Sequence, residues 1–330
     1  MSDLNLSIAV GDYDHIRDLL SGTVKLEGVN LRVVKKEPVE EIFYRFTKYR
    51  EWDISELSFA KYVSLASQPD CDLVAIPVFP SRAFRHSSIY VRSDSAIKSP
   101  AELAGKRIGI PEWAQTASIY TRGLLTHEYG VALDSVDWYQ AGVNEPGRRE
   151  KVALRLPAGL RYTPQPGSSL SGMLLDGQLD AVLSARAPDA FLHGDGQVKR
   201  LFDDPKLAEL AYWKKTGIFP IMHVIAIKRE VIERDPWVAM NLMQAFEAAK
   251  ERSLERMLDI TASHMPLPWI SSYAEQARDI MGNDFWPYGV EPNRVTLNAF
   301  LSFAWEQGVC HRKLAPEDIF VESTLSSVRV

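Results

Sequence analysis

Cysteine is almost missing from this chain: Cys71 and Cys310 are the only two in 330 residues, far apart and in no CxxC pair. That argues against a disulfide framework or a cysteine-rich zinc module and favours a reducing compartment. Long apolar runs are missing too. The stretch at 73–79 is among the longest and is far too short to cross a bilayer. The opening MSDLNLSIAVGDYDH carries neither a basic leader nor an apolar export segment, so a cytoplasmic protein with no membrane partner is expected. Positive charge is not in excess: 38 Lys and Arg against 43 Asp and Glu give a formal net charge of −5, which disfavours a nucleic-acid surface. There is no GxSxG, phosphate loop or dinucleotide fingerprint, so acyl transfer through serine, nucleotide binding and hydride transfer have no support. His127, His193, His264 and His311 have no metal-ligand spacing, and neither a metal nor an organic cofactor is expected.

What is present is a long alternation of short apolar runs and amphipathic stretches. At 330 residues the chain exceeds what one core normally supports, so two lobes are expected. Strands are predicted at 4–10, 31–35, 52–57 and 73–78, with helices at 15–20, 40–49 and 59–66 between them. A second unit begins with a strand at 89–92. Ser99-Pro100-Ala101-Glu102 follows as a capping box that starts a helix ended by Gly105. Further strands are predicted at 106–110, 135–140 and 180–184, with helices at 117–128 and 168–176. Residues 144–165 read mostly as loop with a short strand. A strand at 223–228 returns the chain to the first unit, Asp235-Pro236 caps a long helix, and the rest is helical. The pattern predicts an α/β fold of two lobes, each a mainly parallel sheet flanked by helices, with a ligand cleft between them. The expected lobes are 1–86 with 224–330, and 87–223.

In open α/β sheets ligands sit beyond the C-terminal ends of the strands. The residues there are Asp12, Tyr13 and His15; Glu56, Ser58 and Lys61; Arg82, Arg85 and His86; Glu112, Trp113, Thr116 and Ser118; and Arg186. Arg82, Arg85 and Arg186 suit a carboxylate clamp, because a guanidinium fork matches a carboxylate, while a solvated salt bridge is the structural alternative. Thr116 and Ser118 begin a helix after a strand, where free amides favour an anion, and simple capping is the alternative. Asp12 is a candidate base by position alone. Trp113 could stack on an aromatic ring; Trp286 and Tyr288 suit core packing better. His223 lies on an apolar strand, which usually means a satisfied core histidine.

Six stretches carry a resemblance. SPAELAGKRIGIPEWAQTAS and MLLDGQLDAVLSARAPDAF are similar to parts of the second lobe of type II periplasmic-binding-protein folds. GDYDH, ELSFAKY, FPSRAFRHSSIYV and GIFPIMH resemble the bacterial 4,5-dihydroxyphthalate decarboxylases, over 11–289. The resemblance implies non-oxidative loss of carbon dioxide from 4,5-dihydroxyphthalate, or a close hydroxylated aromatic acid, giving a catechol acid such as protocatechuate. That chemistry needs a base for the phenol, an acid to protonate the ring carbon, and cations for the retained carboxylate. The resemblance makes His223 the first choice for the acid and His86 the second. Glu112 or Glu56 would take the phenol proton or bind the ring hydroxyls, Tyr13 and Ser58 would line the pocket, and the partner is a small aromatic dicarboxylate. A non-catalytic binder for an aromatic or sulfonated anion is the rival reading: it needs the arginines but not the histidine. Oligomeric state is left open, a homo-oligomer included.

Overall fold

The computed structural model describes residues 3–35 and 38–326. The first sheet contains β1 (Leu4–Ala9), β2 (Val29–Val34), β3 (Ile54–Ser58) and β4 (Leu73–Ile76). The second contains β5 (Ile89–Arg92), β6 (Arg107–Ile110), β7 (Asp137–Gly142), β8 (Arg161–Ser169), β9 (Ala181–Leu183) and β10 (Val198–Arg200). The last strand, β11 (His223–Lys228), rejoins the first sheet. Strand order is β2-β1-β3-β11-β4 in one sheet and β10-β5-β9-β6-β7-β8 in the other.

The central strands are buried on both faces. All five residues of β3, ISELS, are buried, which is what a strand covered by helices on each side requires. β1 pairs in parallel with β2 and β3, while β11 runs antiparallel between β3 and β4. That reversal matters for the site. An antiparallel return strand places its first residue beside the last residue of its neighbour, and His223 is register-paired with Ser58. In the second sheet β6 is parallel to β7 and β9, whereas β5 is antiparallel to β9 and β10.

Four helices frame the cleft: α1 (Asp14–Leu20), α2 (Val39–Tyr49), α3 (Phe59–Ala66) and α4 (Thr116–Tyr129). The chain crosses between sheets twice, and the crossings bind each other. Met222 N and His223 N donate to Ser81 O at 2.8 and 3.3 Å, Ala83 N donates to Pro220 O at 3.2 Å, and Arg82 bridges Ile221. The helix Arg294–Glu306 packs on both α3 and α4.

Several local expectations differ from the observed elements. The capping box at Ser99 forms, but it opens only a 3-10 turn, Pro100–Leu103, before Gly105 takes φ +73°. β8 is longer than the short strand expected within 144–165, running nine residues from Arg161 to Ser169. It carries Pro164 and Pro166 because it is an edge strand, where a missing N–H costs no ladder bond. Asp235 does not cap the long helix. It closes the short helix Arg229–Arg234 and pairs with Arg234 at 2.6 Å, and the long helix starts at Val238. The helix Pro205–Thr216 was not anticipated, although Asp204 caps it through Leu207 N at 3.0 Å and Gly217 ends it at φ +68°.

Candidate functional site

The C-terminal edge of the first sheet gathers two side chains and a backbone amide around one buried carboxylate. Glu56, with 0 % exposure in the middle of β3, is the centre. Its Oε2 accepts from Gly11 N at 2.8 Å, and its Oε1 accepts from the Tyr13 hydroxyl at 2.7 Å. The same Oε1 stands 2.6 Å from Nδ1 of His223. Taking a carboxylate out of water costs several kcal/mol unless it is fully hydrogen-bonded, and three donors satisfy it here.

Beside a carboxylate acceptor, Nδ1 carries the ring hydrogen, and Nε2 is the nitrogen left for the cleft. The His223 side chain keeps 18 % exposure while Glu56 has none. Phe43 of α2 holds the imidazole edge-on at 4.8 Å between centroids. The Tyr13 phenol is raised well above its ordinary range by burial, and further by Glu56, so it stays protonated and donates. Gly11 is required by close approach: a Cβ there would lie 2.8 Å from the Tyr13 ring and 3.2 Å from Glu56 Oε2.

An aromatic row runs from this group toward the hinge. Tyr13 and His15 lie 5.6 Å apart, His15 and Trp286 5.2 Å, Trp286 and Phe219 5.6 Å, and Phe219 and Phe84 5.0 Å. Trp286, assigned from sequence to core packing, is half-buried in this row, with its indole donating to Phe79 O at 3.1 Å. Burial pushes His15 down to about 4.

The second sheet contributes the facing wall. Thr116, at the start of α4, accepts from Ala60 N at 3.0 Å and meets Ser58 Oγ at 3.0 Å, so both hydroxyls dock one lobe on the other. Ser118 is buried and donates to Gln115 at 3.2 Å. The loop 142–151 with Arg186 lines an open cavity of about 550 Å³. Arg148 of that loop pairs with Glu112 at 2.8 Å, Lys151 reaches the same oxygen at 3.4 Å, and Glu150 accepts from Trp113 N and Ala114 N at 2.5 and 3.2 Å. Arg186 crosses to Glu40 of α2 at 2.7 Å; this hydrogen bonding outweighs burial and holds the Glu40 carboxyl below its ordinary value.

The structure thus brings together Tyr13, Glu56 and His223, and on the facing side Arg186 with the 142–151 loop. It does not bring all the sequence candidates there. Trp113 has 0 % exposure: its ring meets Trp138 and Tyr162 edge-on, Arg122 stacks on it at 3.8 Å, and its indole donates to Gln307 O at 2.7 Å. It presents no face to a ligand. Arg82 is buried between Phe79 and Phe219 and donates to Asn293 and to Pro287 O, which makes it a strut at the crossing between the sheets. Arg85 is half-buried with Nε on the Met222 sulfur at 3.2 Å. His86 is 2 % exposed against Phe202 and Tyr212, and burial pushes it down to about 4. Glu112 is buried and engaged by Arg148 and Lys151. Asp12 is exposed at the rim. Arg148 was missed, although the strand-end rule that named the other candidates applies equally to the loop after β7. Among the described residues no group of three or more His, Cys, Asp and Glu is placed to hold a metal ion, and no helix is long and apolar enough to cross a membrane.

A family model described as the periplasmic substrate-binding protein of a phosphonate ABC transporter covers residues 12–160. A 4,5-dihydroxyphthalate decarboxylase of Comamonas testosteroni is 41 % identical over 100 % of both chains. One of Pseudomonas putida is 44 % identical over 65 % of this chain and 83 % of its own. Among solved structures, the periplasmic aliphatic sulphonate binding protein SsuA from Escherichia coli is similar at a TM-score of 0.54 with 13 % identity, covering 98 % of this chain and 99 % of that one. The fold is the two-lobed type II periplasmic-binding-protein-like one expected from sequence.

Proposed function

The chain belongs to the 4,5-dihydroxyphthalate decarboxylase family, and from that premise we propose that it removes one carboxyl group of 4,5-dihydroxyphthalate, with His223 as the proton donor. The observation that carries the assignment of His223 is the 2.6 Å contact between its Nδ1 and the buried Glu56. A carboxylate behind one ring nitrogen fixes the tautomer and stabilises the imidazolium, so the other nitrogen can deliver a proton into the cleft. Glu56 itself, fully buried and taken up by three donors, acts through His223 and Tyr13 rather than on the ring.

In the reaction, Nε2–H protonates the ring carbon that bears the departing carboxylate. As that C–H bond forms, the hydroxyl para to it gives its proton to solvent water in the open cleft and becomes a carbonyl, which absorbs the ring's displaced electron pair. The C–C bond to the carboxylate then breaks, carbon dioxide leaves, the bond's electrons restore aromaticity, and the oxygen regains its proton. Histidine recovers its own proton from water. Half-buried Tyr13 and Trp286 and the edge of Phe43 supply the weakly solvating side, where a departing carboxylate is less stabilised than in water. Arg186 and the 142–151 loop supply positive charge on the other side. Both thiols are free, which supports work in the reducing cytoplasm.

Incubating the purified protein with 4,5-dihydroxyphthalate and following substrate loss and carbon dioxide release tests the reaction. Saturable binding without turnover would return the protein to the class of anion binders. His223→Ala should abolish turnover and leave binding of phthalate, which lacks the activating hydroxyls, nearly unchanged.

A further inference from the structure

Lys61 is not used by the reading above. It sits in the first turn of α3, just beyond Ser58 and Ala60, which grip Thr116 of the other lobe. That grip brings the first turn of α3 against the second lobe, and the charges acting on Lys61 are those of Glu112, Lys151, Arg148 and Glu150. These neighbours are already matched to one another. Glu112 holds both Arg148 and Lys151, and Glu150 accepts from two backbone amides. Arg186 is matched by Glu40. Among the described residues, Lys61 has no carboxylate within ion-pair distance, while Arg148, Lys151 and Arg186 each have one. Three cations (Lys61, Arg148, Lys151) against two carboxylates (Glu112, Glu150) leave one positive charge uncompensated at the seam.

The amine is half-buried, and burial lowers its pKa. A partly desolvated ammonium without a counter-ion gains more from an arriving anion than one already paired. Resting on the reading that the substrate is an aromatic dicarboxylate, we propose that Lys61 is the cation that receives the carboxylate retained in the product, and that it selects for substrates carrying that second carboxylate. The departing group is the wrong partner for it. An ion pair made only to the departing carboxylate would stabilise the ground state and resist the loss of charge, whereas a pair to the retained carboxylate persists through the reaction. Position agrees: Lys61 is one helical turn beyond Ser58, and Ser58 is register-paired with His223. His223 and the first turn of α3, which carries Lys61, therefore stand at the same end of the first sheet, as groups serving two adjacent ring substituents require.

The test uses the full-length protein, the variants Lys61→Met and Lys61→Arg, and three ligands titrated calorimetrically: phthalate, protocatechuate and catechol. Protocatechuate keeps only the retained carboxylate, and catechol has none. Lys61→Met should weaken phthalate and protocatechuate roughly ten- to a hundredfold, the range of a charge-assisted hydrogen bond, and leave catechol within about threefold. Lys61→Arg should recover most of the loss, and unchanged catechol binding shows that the variants are folded. Equal affinity of wild type and Lys61→Met for phthalate and protocatechuate overturns the proposal, as does failure of the wild type to bind either acid. Wild-type turnover of 4,5-dihydroxyphthalate is measured alongside. Turnover with no Lys61 effect defeats this inference alone; a Lys61-dependent affinity without turnover defeats the decarboxylase reading and leaves the anion site standing.

Discussion

Replacing Glu56 by glutamine removes one charge and one acceptor without changing the size of the side chain, and the geometry dictates the result. Glu56 faces three donors: Gly11 N at 2.8 Å, the Tyr13 hydroxyl at 2.7 Å and His223 Nδ1 at 2.6 Å. An amide offers only one oxygen. If that oxygen faces Tyr13 and His223, the amide NH2 meets the Gly11 N–H, and a buried backbone donor loses its partner at a cost of about 1–3 kcal/mol. If the amide turns over, Gly11 is satisfied, but the NH2 now points at Nδ1. The imidazole must then move its hydrogen to Nε2, and the imidazolium form has a donor in front of a donor. In neither orientation does a carboxylate stabilise the protonated ring. The general-acid contribution, roughly a hundred- to ten-thousandfold, should be lost from kcat, equivalent to about 3–5 kcal/mol of barrier. KM should move little, because Glu56 has no exposure to a ligand. Steady-state carbon dioxide release, thermal unfolding and nitrogen-15 shifts of the His223 ring report the three consequences separately. A Glu56→Gln enzyme with wild-type kcat and an unchanged histidine tautomer would refute the assignment.

Three further perturbations separate chemistry from scaffold. Arg82→Ala leaves Asn293 Oδ1 short of a donor and empties a slot between two aromatic rings; thermal stability should fall by about 2–4 kcal/mol, with phthalate affinity within threefold of wild type by calorimetry. Gly11→Ala forces a methyl against the Tyr13 ring and Glu56, at a cost of about 1–3 kcal/mol from overpacking; kcat should drop at least tenfold while the far-ultraviolet circular dichroism stays native. His86, pushed down to about 4 by burial, takes up its proton in the unfolded chain before the folded one. The stability of its neutral form is therefore complete above about pH 6.5 and lost as pH falls toward 4, by up to about 3 kcal/mol. His86→Phe, which keeps a ring against Phe202 and Tyr212, should flatten that acid limb in unfolding midpoints measured from pH 7 to 4, without reducing kcat. A fall in kcat comparable to that of His223→Ala would restore His86 as a proton donor.

The strand edges were legible because the chain marks them chemically. Apolar runs stop at Gly11, Ser58, Pro111 and Ser184, and the residues after those stops are where the cleft lies. Residue environment was less legible, because side-chain direction depends on packing that a sequence does not state. Trp113 and Glu112 follow the same strand that leads to Thr116, yet the tryptophan turns into the core beside Arg122, and the glutamate is captured by Arg148 from a loop 36 residues away. Arg82, Arg85 and His86 are adjacent in sequence and look like one basic cluster. The hinge separates them: one lies between aromatic rings, one against a methionine sulfur, and one in an aromatic cage. Glu56 was readable as an acid near the cleft, but its function behind His223 depends on β11 running antiparallel to β3, a topological fact with no local signature. β8 runs further than the short strand expected there, because its prolines argue against a strand everywhere except at an edge.

The antiparallel return strand also suggests how a binding scaffold acquires chemistry. A cleft that only captures anions needs cations and free amides, and these can all sit on loops. A proton donor needs a fixed tautomer and a counter-charge that does not itself compete for the anion, so the carboxylate must be buried behind the ring and screened from the ligand. In this fold the first residue of β11 and the third residue of β3 meet that requirement, because both belong to central strands whose faces are covered. Glu56 is therefore expensive to bury and of little use to a passive binder. The paired replacement Glu56→Leu with His223→Leu leaves the Gly11 N–H and the Tyr13 hydroxyl without their acceptor, at a cost of about 1–3 kcal/mol each, but it should be less destabilising than Glu56→Leu alone, which strands the His223 Nδ1–H as well. Turnover should vanish while phthalate binding survives. If the double variant unfolds as readily as Glu56→Leu alone, the pair is holding the hinge together, and its catalytic interpretation fails.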